Sequence, residues 1–488
     1  MTQPKPLVVL ATVDPLLRDA VALGVVVDHP RTVVLRHDIV DGPDGGGIRR
    51  VVADAGGVLE DVLVPLAHAC LSCSVREDAV PTLERLARDP RWDQVLLALP
   101  VSAESLPVTR ALGAAAGRAG RLRGLRLASV VAALDLATFE DDLLSDDLLD
   151  ERGIALTADD ERAVGEALAA QVAHADVVLA AGEPAEHPVA SDLLDHVRAA
   201  DGLRVDGVLA ADAAALFAGA HDLRAGDRRL DPRHAAPVPD APTRHGVWTL
   251  DLRADRALHP ERLVADVARL GQGRHRSRGR FWVPSRPDSV CAWDGAGGQL
   301  SVGEVGTWGR RAPGTRLVFT GVEDVRADLL AAFEDVLLTA DEHARGLHPW
   351  LGREDVLAPW LGTGRRRPVA RGCRCCGCVT VPAGAWSRGP NVVACEEAAM
   401  PRRDPGPSVK DKELYEELRD EGNSKEKSAR IANAAAARGR SSVGRKGGES
   451  GSYEDWTVDD LRRRAAEIGI EGRSSMKKAD LVRALRSH

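Results

Sequence analysis

The sequence predicts an α/β protein: a parallel sheet covered by helices, followed by a small α+β domain and a short helical tail. Three observations lead there. The first 220 residues alternate short, apolar, β-branched runs with helical patterns, which is the signature of strands buried on both faces and joined by helices. Residues 246–340 mix strand and helix patterns without that alternation. Near residue 400 the composition changes: Lys5 is the sole lysine before that point, while seven lysines and both tyrosines, Tyr415 and Tyr453, follow it.

In chain order, the strand candidates are Leu7–Ala11, Thr32–Leu35, Val95–Leu99, Leu127–Val131, Val177–Ala180 and Val205–Leu209. Helical patterns lie near 15–24, 77–89, 106–117, 158–174 and 190–200. Ligands of such sheets sit at the carboxyl ends of the strands. Residues 221–245, rich in Pro, Arg, Asp and His, read as a linker. The second domain, 246–362, has strand candidates near 247–251, 281–283, 299–302 and 316–320 and helices near 259–270 and 323–337. Trp282, Trp293 and Trp308 are its expected core, and Cys291, isolated in an apolar run, is expected to be buried and inert. Residues 363–408 are Cys-, Pro- and Gly-rich without apolar periodicity. They read as an unstructured linker, and possible read-through between two coding regions, since Met400 opens what resembles a separate small protein. A helical segment (409–437), a flexible linker (438–455) and a pair of short helices (456–488) complete the chain.

With 44% apolar and 28% charged residues the chain is ordinary for a soluble globular protein. It contains no run of ~18 apolar residues suited to a membrane span, and its N-terminus reads as a first strand rather than a leader. A cytoplasmic location follows as the expectation, so the eight cysteines are metal ligands or core residues rather than disulfides.

The strongest local feature is ACLSCSVREDAVPTLERLAR, residues 69–88. Cys70 and Cys73 form a C-x-x-C pair just ahead of a helical pattern that starts around Glu77. Two thiolates at this spacing suit one Zn²⁺, and a helix N-terminus favours the thiolate. They make half a site. His68 is adjacent, and His37 and Asp38 follow the second strand, so the remaining ligands come from the fold or from a partner. The plain alternative is a turn with two small residues. A second cluster, Cys373, Cys375, Cys376 and Cys378, suits a soft metal but lacks the long loop between pairs that tetrahedral zinc sites use.

The cysteine stretch resembles the motif of CobW-like proteins of the P-loop class. Cys70 and Cys73 match the outer cysteines of a C-x-C-C, and Ser72 replaces the middle one. Arg76, Glu77 and Asp78 match the family's Arg-Glu-Asp at the helix start. SVVAALDLATFEDDL (129–143) resembles the family's Val-Asp-Ala strand. RSRGRFWVPSRPDSVCAWDGAGGQLSVGEVGTWG (276–309) and LVFTGVEDVRADLLAAFEDVLLTADE (317–342) resemble its C-terminal domain. The resemblance covers about 7–362. It implies a sheet of P-loop GTPase type, zinc as the metal, and a client protein that receives it, a zinc protein or a ribosome-associated factor.

The nucleotide motifs depart from that family. The P-loop position reads ATVDPLLRDA (11–20), without glycine to wrap phosphates; Arg18 stands for the lysine and Asp19 for the Mg²⁺-binding hydroxyl. Ala98 and Val101 replace the Glu and Gly of the second motif, although Glu104 and Pro107 match. AAGE (180–183) replaces Asn-Lys-x-Asp, leaving Glu183 as the one imitation of its Asp. The expectation is therefore that GTP and magnesium binding is lost and that the protein is not an enzyme. An active GTP-dependent metallochaperone is the alternative.

The tail, 414–436 and 456–488, resembles small actinobacterial proteins ending in a domain like the N-terminal helical domain of the terminator Rho. Arg462, Arg463, Arg464, Arg473, Lys477 and Lys478 are its candidates for phosphate contacts with nucleic acid. Residues 400–488 as a whole carry 20 Lys and Arg against 16 Asp and Glu, so such binding is expected to be weak and salt-sensitive. A protein-binding helical pair is the alternative.

Overall fold

The computed structural model describes residues 3–362 apart from 41–45, 67–69, 118–119, 209–211, 235–237, 239–240, 351–352 and 354, and beyond 362 it describes Lys478. Eight strands make the first sheet: β1 (Lys5–Thr12), β2 (Thr32–Val40), β3 (Gly47–Asp54), β4 (Gly57–Pro65), β5 (Gln94–Ala98), β6 (Leu125–Asp135), β7 (Val177–Ala181) and β8 (Leu203–Asp206). Their order is β4-β3-β2-β5-β1-β6-β7-β8. The run from β2 to β8 is parallel, and β3 and β4 add an antiparallel hairpin at one edge. Alternation along β1 shows why the strand is apolar throughout. Leu7, Val9 and Ala11 enter the core under helices Val80–Arg88 and Ser105–Ala116, while Val8 and Leu10 enter the core under helices Pro15–Asp28 and Ala213–Ala218.

The predicted parallel strands are all present, β8 shifted toward its N-terminus. The β3–β4 hairpin was not predicted. Its strands, GIRRVVAD and GVLEDVLVP, carry charge at positions that break the apolar run, and β4 is largely exposed. The helix expected over 158–174 begins only at Val164.

The second sheet contains β9 (Trp248–Ala254), β10 (His275–Phe281), β11 (Ser289–Ala296), β12 (Gln299–Thr307) and β13 (Thr315–Gly321), all antiparallel in the order β12-β11-β10-β13-β9. Helices Pro260–Gly271 and Arg326–Val336 cover one face, over a core of Phe281, Trp293, Phe319 and Phe333. Trp293 is fully buried, and Trp282 and Trp308 pack in a smaller adjoining cluster with Trp350. Cys291 is buried, which pushes its thiol up to about 12 and leaves it inert. β10 reads HRSRGRF, and its cations hid it, so that the strand expected at 281–283 is in fact one that ends at Phe281.

The segment 221–245 is not simply a linker. It holds the helix Leu223–Leu230, in which Asp227 and Arg229 are tied down by ion pairs rather than solvated. Arg229 Nη1 donates to Asp176 Oδ1 at 2.8 Å and to the carbonyls of His174 and Ala175, and Arg110 Nε donates to Asp227 Oδ1 at 2.6 Å. Composition alone cannot separate a solvated charge from a paired one. Among the described residues no helix is long and apolar enough to cross a membrane.

Candidate functional site

The turn after β1 is where a phosphate loop would lie. Here two residues, Val13 and Asp14, join the strand to the helix Pro15–Asp28. Pro15 at the first turn has no N–H to offer. Asp14 is the N-cap: its Oδ1 accepts from the backbone N–H of Leu16 at 2.7 Å and of Leu17 at 3.0 Å. A carboxylate of the chain itself thus occupies the helix N-terminus, the position at which such folds hold an anion. Arg18 does not reach outward. It is buried, donating through Nη1 to Asp38 Oδ1 at 2.6 Å and to the Leu99 carbonyl at 3.2 Å. Asp19 accepts from Arg36 Nη1 at 3.1 Å.

The second motif is likewise built into the fold. Ser102, with a left-handed φ of 67°, donates through its N–H to the Thr12 carbonyl and through Oγ to the Ile154 carbonyl at 2.7 Å. Glu104 accepts from Arg162 Nη1 at 3.0 Å, and Arg162 also holds Asp160 at 2.7 Å. Glu183 is exposed beyond the end of β7. The sheet topology brings Arg18 and Asp19 to the carboxyl end of β1 and Glu104 to that of β5, but each of the three is engaged with a neighbouring side chain.

The cysteine pair opens a helical run that starts earlier than Glu77: a short turn Leu71–Cys73, a π-helical turn Ser74–Ala79, then Val80–Arg88. Cys70 is exposed and caps the run, its Sγ accepting from the Cys73 N–H at 3.4 Å. Cys73 is buried beside Ile48 and Leu66, and its Sγ accepts from Arg76 Nη2 at 3.7 Å. The expected thiolate is not what the environment favours at Cys73. Burial, then the neighbouring Cys70 sulfur, pushes its thiol up to about 12, outweighing Arg76. Two sulfurs at this spacing fit half a zinc coordination sphere. Among the described residues no group of three His, Cys, Asp or Glu is placed to complete it, and His68 lies outside them.

His37 and Asp38, the other candidates, face different partners. Asp38 holds Arg18. His37 Nε2 meets Asp78 Oδ2 at 2.8 Å with both side chains buried, and Arg50 Nη1 reaches Asp78 Oδ1 at 2.5 Å. Burial raises the Asp78 carboxyl, but His37 and Arg50 hold it below its usual value. This triad pins the π-helical turn behind the cysteines to β2 and β3. Its members are far apart in sequence, and the one available signal was the Arg-Glu-Asp just after the pair. Of the tail candidates, Lys478 is helical and exposed; Arg462, Arg463, Arg464, Arg473 and Lys477 lie outside the described residues, as do Cys373, Cys375, Cys376 and Cys378.

The cobalamin synthesis protein cobW C-terminal domain matches residues 247–337, and a family of unknown function matches residues 404–451. The chain is 30% identical over 302 residues to the zinc chaperone Rv0106 of Mycobacterium tuberculosis, covering 58% of this chain and 70% of that one. It is 24% identical over 264 residues to the zinc-regulated GTPase metalloprotein activator 1 of Dictyostelium discoideum, covering 51% and 55%. The solved Zn(II)-bound YjiA GTPase from E. coli aligns with 69% of this chain and 99% of its own at 13% identity and a TM-score of 0.30. With 30% identity along 70% of its mycobacterial relative, and with a C-terminal domain that the cobW model matches, this chain belongs to the CobW-like family.

Proposed function

We propose that this chain is a zinc metallochaperone that carries the metal on Cys70 and Cys73 and passes it to a client protein without using GTP. The observation that carries the reading is the thiol pair itself: Cys70 exposed at the start of a helical run, Cys73 one turn inside it. A two-sulfur site with one sulfur exposed and the other one turn inside suits a metal that is taken up and handed on, because a client's ligands can complete the coordination. The name of the mycobacterial relative, zinc chaperone, supports the same cargo. Because burial holds the Cys73 proton so firmly, zinc must displace it, and affinity falls as the pH is lowered.

In a competition titration of the full chain against a chelator, one tight zinc equivalent is expected, and it is lost in the Cys70→Ala/Cys73→Ala variant. Equal binding by both chains overturns the reading.

The loss of nucleotide use rests on Asp14 and Arg18. A phosphate at the helix N-terminus must displace the Asp14 carboxylate, and Arg18 is committed to Asp38. GTP is therefore expected to bind with a Kd weaker than about 1 mM, less than about 4 kcal/mol. Saturable micromolar binding that disappears in Arg18→Ala replaces this reading with a GTP-dependent metallochaperone.

A further inference from the structure

Cys70 is the N-cap of the helical run and Cys73 its third residue. Side chains at these two positions lie beside one another, which is why an N-cap side chain can take the N–H of the third residue. Here a sulfur does so, since Cys70 Sγ accepts from the Cys73 N–H at 3.4 Å. The Cys70 sulfur is also within hydrogen-bonding reach of the Cys73 thiol. The backbone around the pair is pinned. Ser74 donates to the Cys70 carbonyl through both its N–H and its Oγ, each at 2.9 Å. One turn further, Asp78 is held by His37 and Arg50. The sulfurs cannot separate without unwinding the first turn, and a bond between them closes over two residues of chain with little backbone movement.

Access to the two sulfurs differs. Cys70 is exposed, and Cys73 is buried against Ile48 and Leu66. A molecule arriving from solvent meets the first sulfur, and the second stands behind it, in reach of whatever the first has bound. The remaining cysteine among the described residues, Cys291, is sealed in the core of the second domain. An exposed sulfur backed by a shielded one is an arrangement for two-step thiol–disulfide exchange, in which the first is attacked and the second resolves.

We propose that Cys70 and Cys73 exchange with a small-molecule disulfide and close into an intramolecular disulfide that withdraws both sulfurs from zinc. Cys70 Sγ attacks one sulfur of the incoming disulfide, and the other sulfur leaves as a thiol carrying the Cys70 proton. Cys73 Sγ then attacks Cys70 Sγ, and the second small thiol leaves with the Cys73 proton. Two protein thiols are oxidised and one small disulfide is reduced to two thiols. From the zinc-bound pair the two protons come from solvent, and the metal leaves as Zn²⁺. The exchange needs no zinc; its consequence for the metal rests on the zinc reading above. The pair carries metal only while it is reduced.

The test places the full, metal-free chain in glutathione buffers of rising oxidised fraction, followed by acid quench, alkylation and peptide mass mapping. A Cys70–Cys73 disulfide is expected in the wild type. Cys73→Ser is expected to stop at a mixed disulfide of Cys70 with glutathione. Cys70→Ser is expected to leave Cys73 as a thiol that reacts about tenfold more slowly or less. The chain loaded with one zinc equivalent is expected to release it to a colorimetric indicator as the disulfide forms, and to take it back after reduction by a phosphine. A pair that stays reduced in excess oxidised glutathione overturns the proposal. So does linkage of Cys70 to the 373–378 cluster or to a second chain, or a disulfide formed with zinc still bound. A disulfide formed in a chain whose reduced form binds no zinc upholds the exchange and overturns the zinc reading instead.

Discussion

Lowering the pH from 6.5 to 4.5 is expected to cost the folded chain about 2 kcal/mol through His174 alone, and His174→Asn is expected to remove that slope. The imidazole is buried and its pKa is lowered from 6.5 to about 3 by burial first, then by the neighbouring His221. Its Nδ1 lies 2.7 Å from Ser105 Oγ, and its buried Nε2 has no hydrogen-bond partner among the described residues. Nε2 faces the helix Leu223–Leu230 at Gly226, where an added Cβ would stand 2.8 Å from it, so a second proton has no acceptor. Linkage sets the sign. Below pH 6.5 the unfolded chain binds a proton that the folded chain refuses, so stability is full above that pH and falls toward the folded value. A tenfold difference in proton affinity between the two states is worth about 1.4 kcal/mol. The carboxylates of the same cluster act lower: Asp176, raised by burial but lowered further by His221, falls to about 2, so its contribution is lost only below pH 3.8. Urea midpoints of wild type and His174→Asn at both pH values measure the difference. Parallel slopes would show that His174 is not the neutral buried group. His174→Asn keeps a polar contact for Ser105, so the variant separates titration from packing.

Asp78→Ala is expected to destabilise the chain by about 3 kcal/mol and to weaken zinc binding by about tenfold. Removing one partner of a buried charge pair leaves the others uncompensated, which costs about 3–5 kcal/mol; Arg50 retains Glu60 at 3.4 Å, which places the cost at the low end. His37, buried against Asp78, loses its partner. The zinc effect arises because Asp78 sits in the π-helical turn that follows Cys73, and its ion pairs hold that turn against β2 and β3. Chemical denaturation and the chelator titration check the two parts. A cost below about 1 kcal/mol would mean that the triad is effectively solvated. Loss of stability with unchanged zinc affinity would mean that the turn does not position the thiols.

The parallel sheet was legible because its strands are uniform in chemistry. A strand buried on both faces must be apolar at every position, and such runs as LVVLA and VVLA announce themselves whatever surrounds them. The cysteine pair was legible for a related reason: a C-x-x-C ahead of a helix is a local pattern, and its two sulfurs are brought together by three residues of chain. The departures of the nucleotide motifs were equally local, since the missing glycines can be counted along one turn.

What the sequence left open depended on pairing at a distance. The charges of 221–245 read as a solvated linker because nothing local shows that Arg229 meets Asp176 across 53 residues. HRSRGRF concealed a strand because its arginines lie on a sheet face away from the core, where alternation reads as simple polarity. The tertiary structure alone decided that Asp14 caps the first helix, that Arg18 turns inward to Asp38, and that Cys73 is buried while Cys70 is exposed. Apolar burial is written residue by residue into a sequence. The partner of a charge, and with it the proton, the cap and the ion pair, is set by which strands lie side by side.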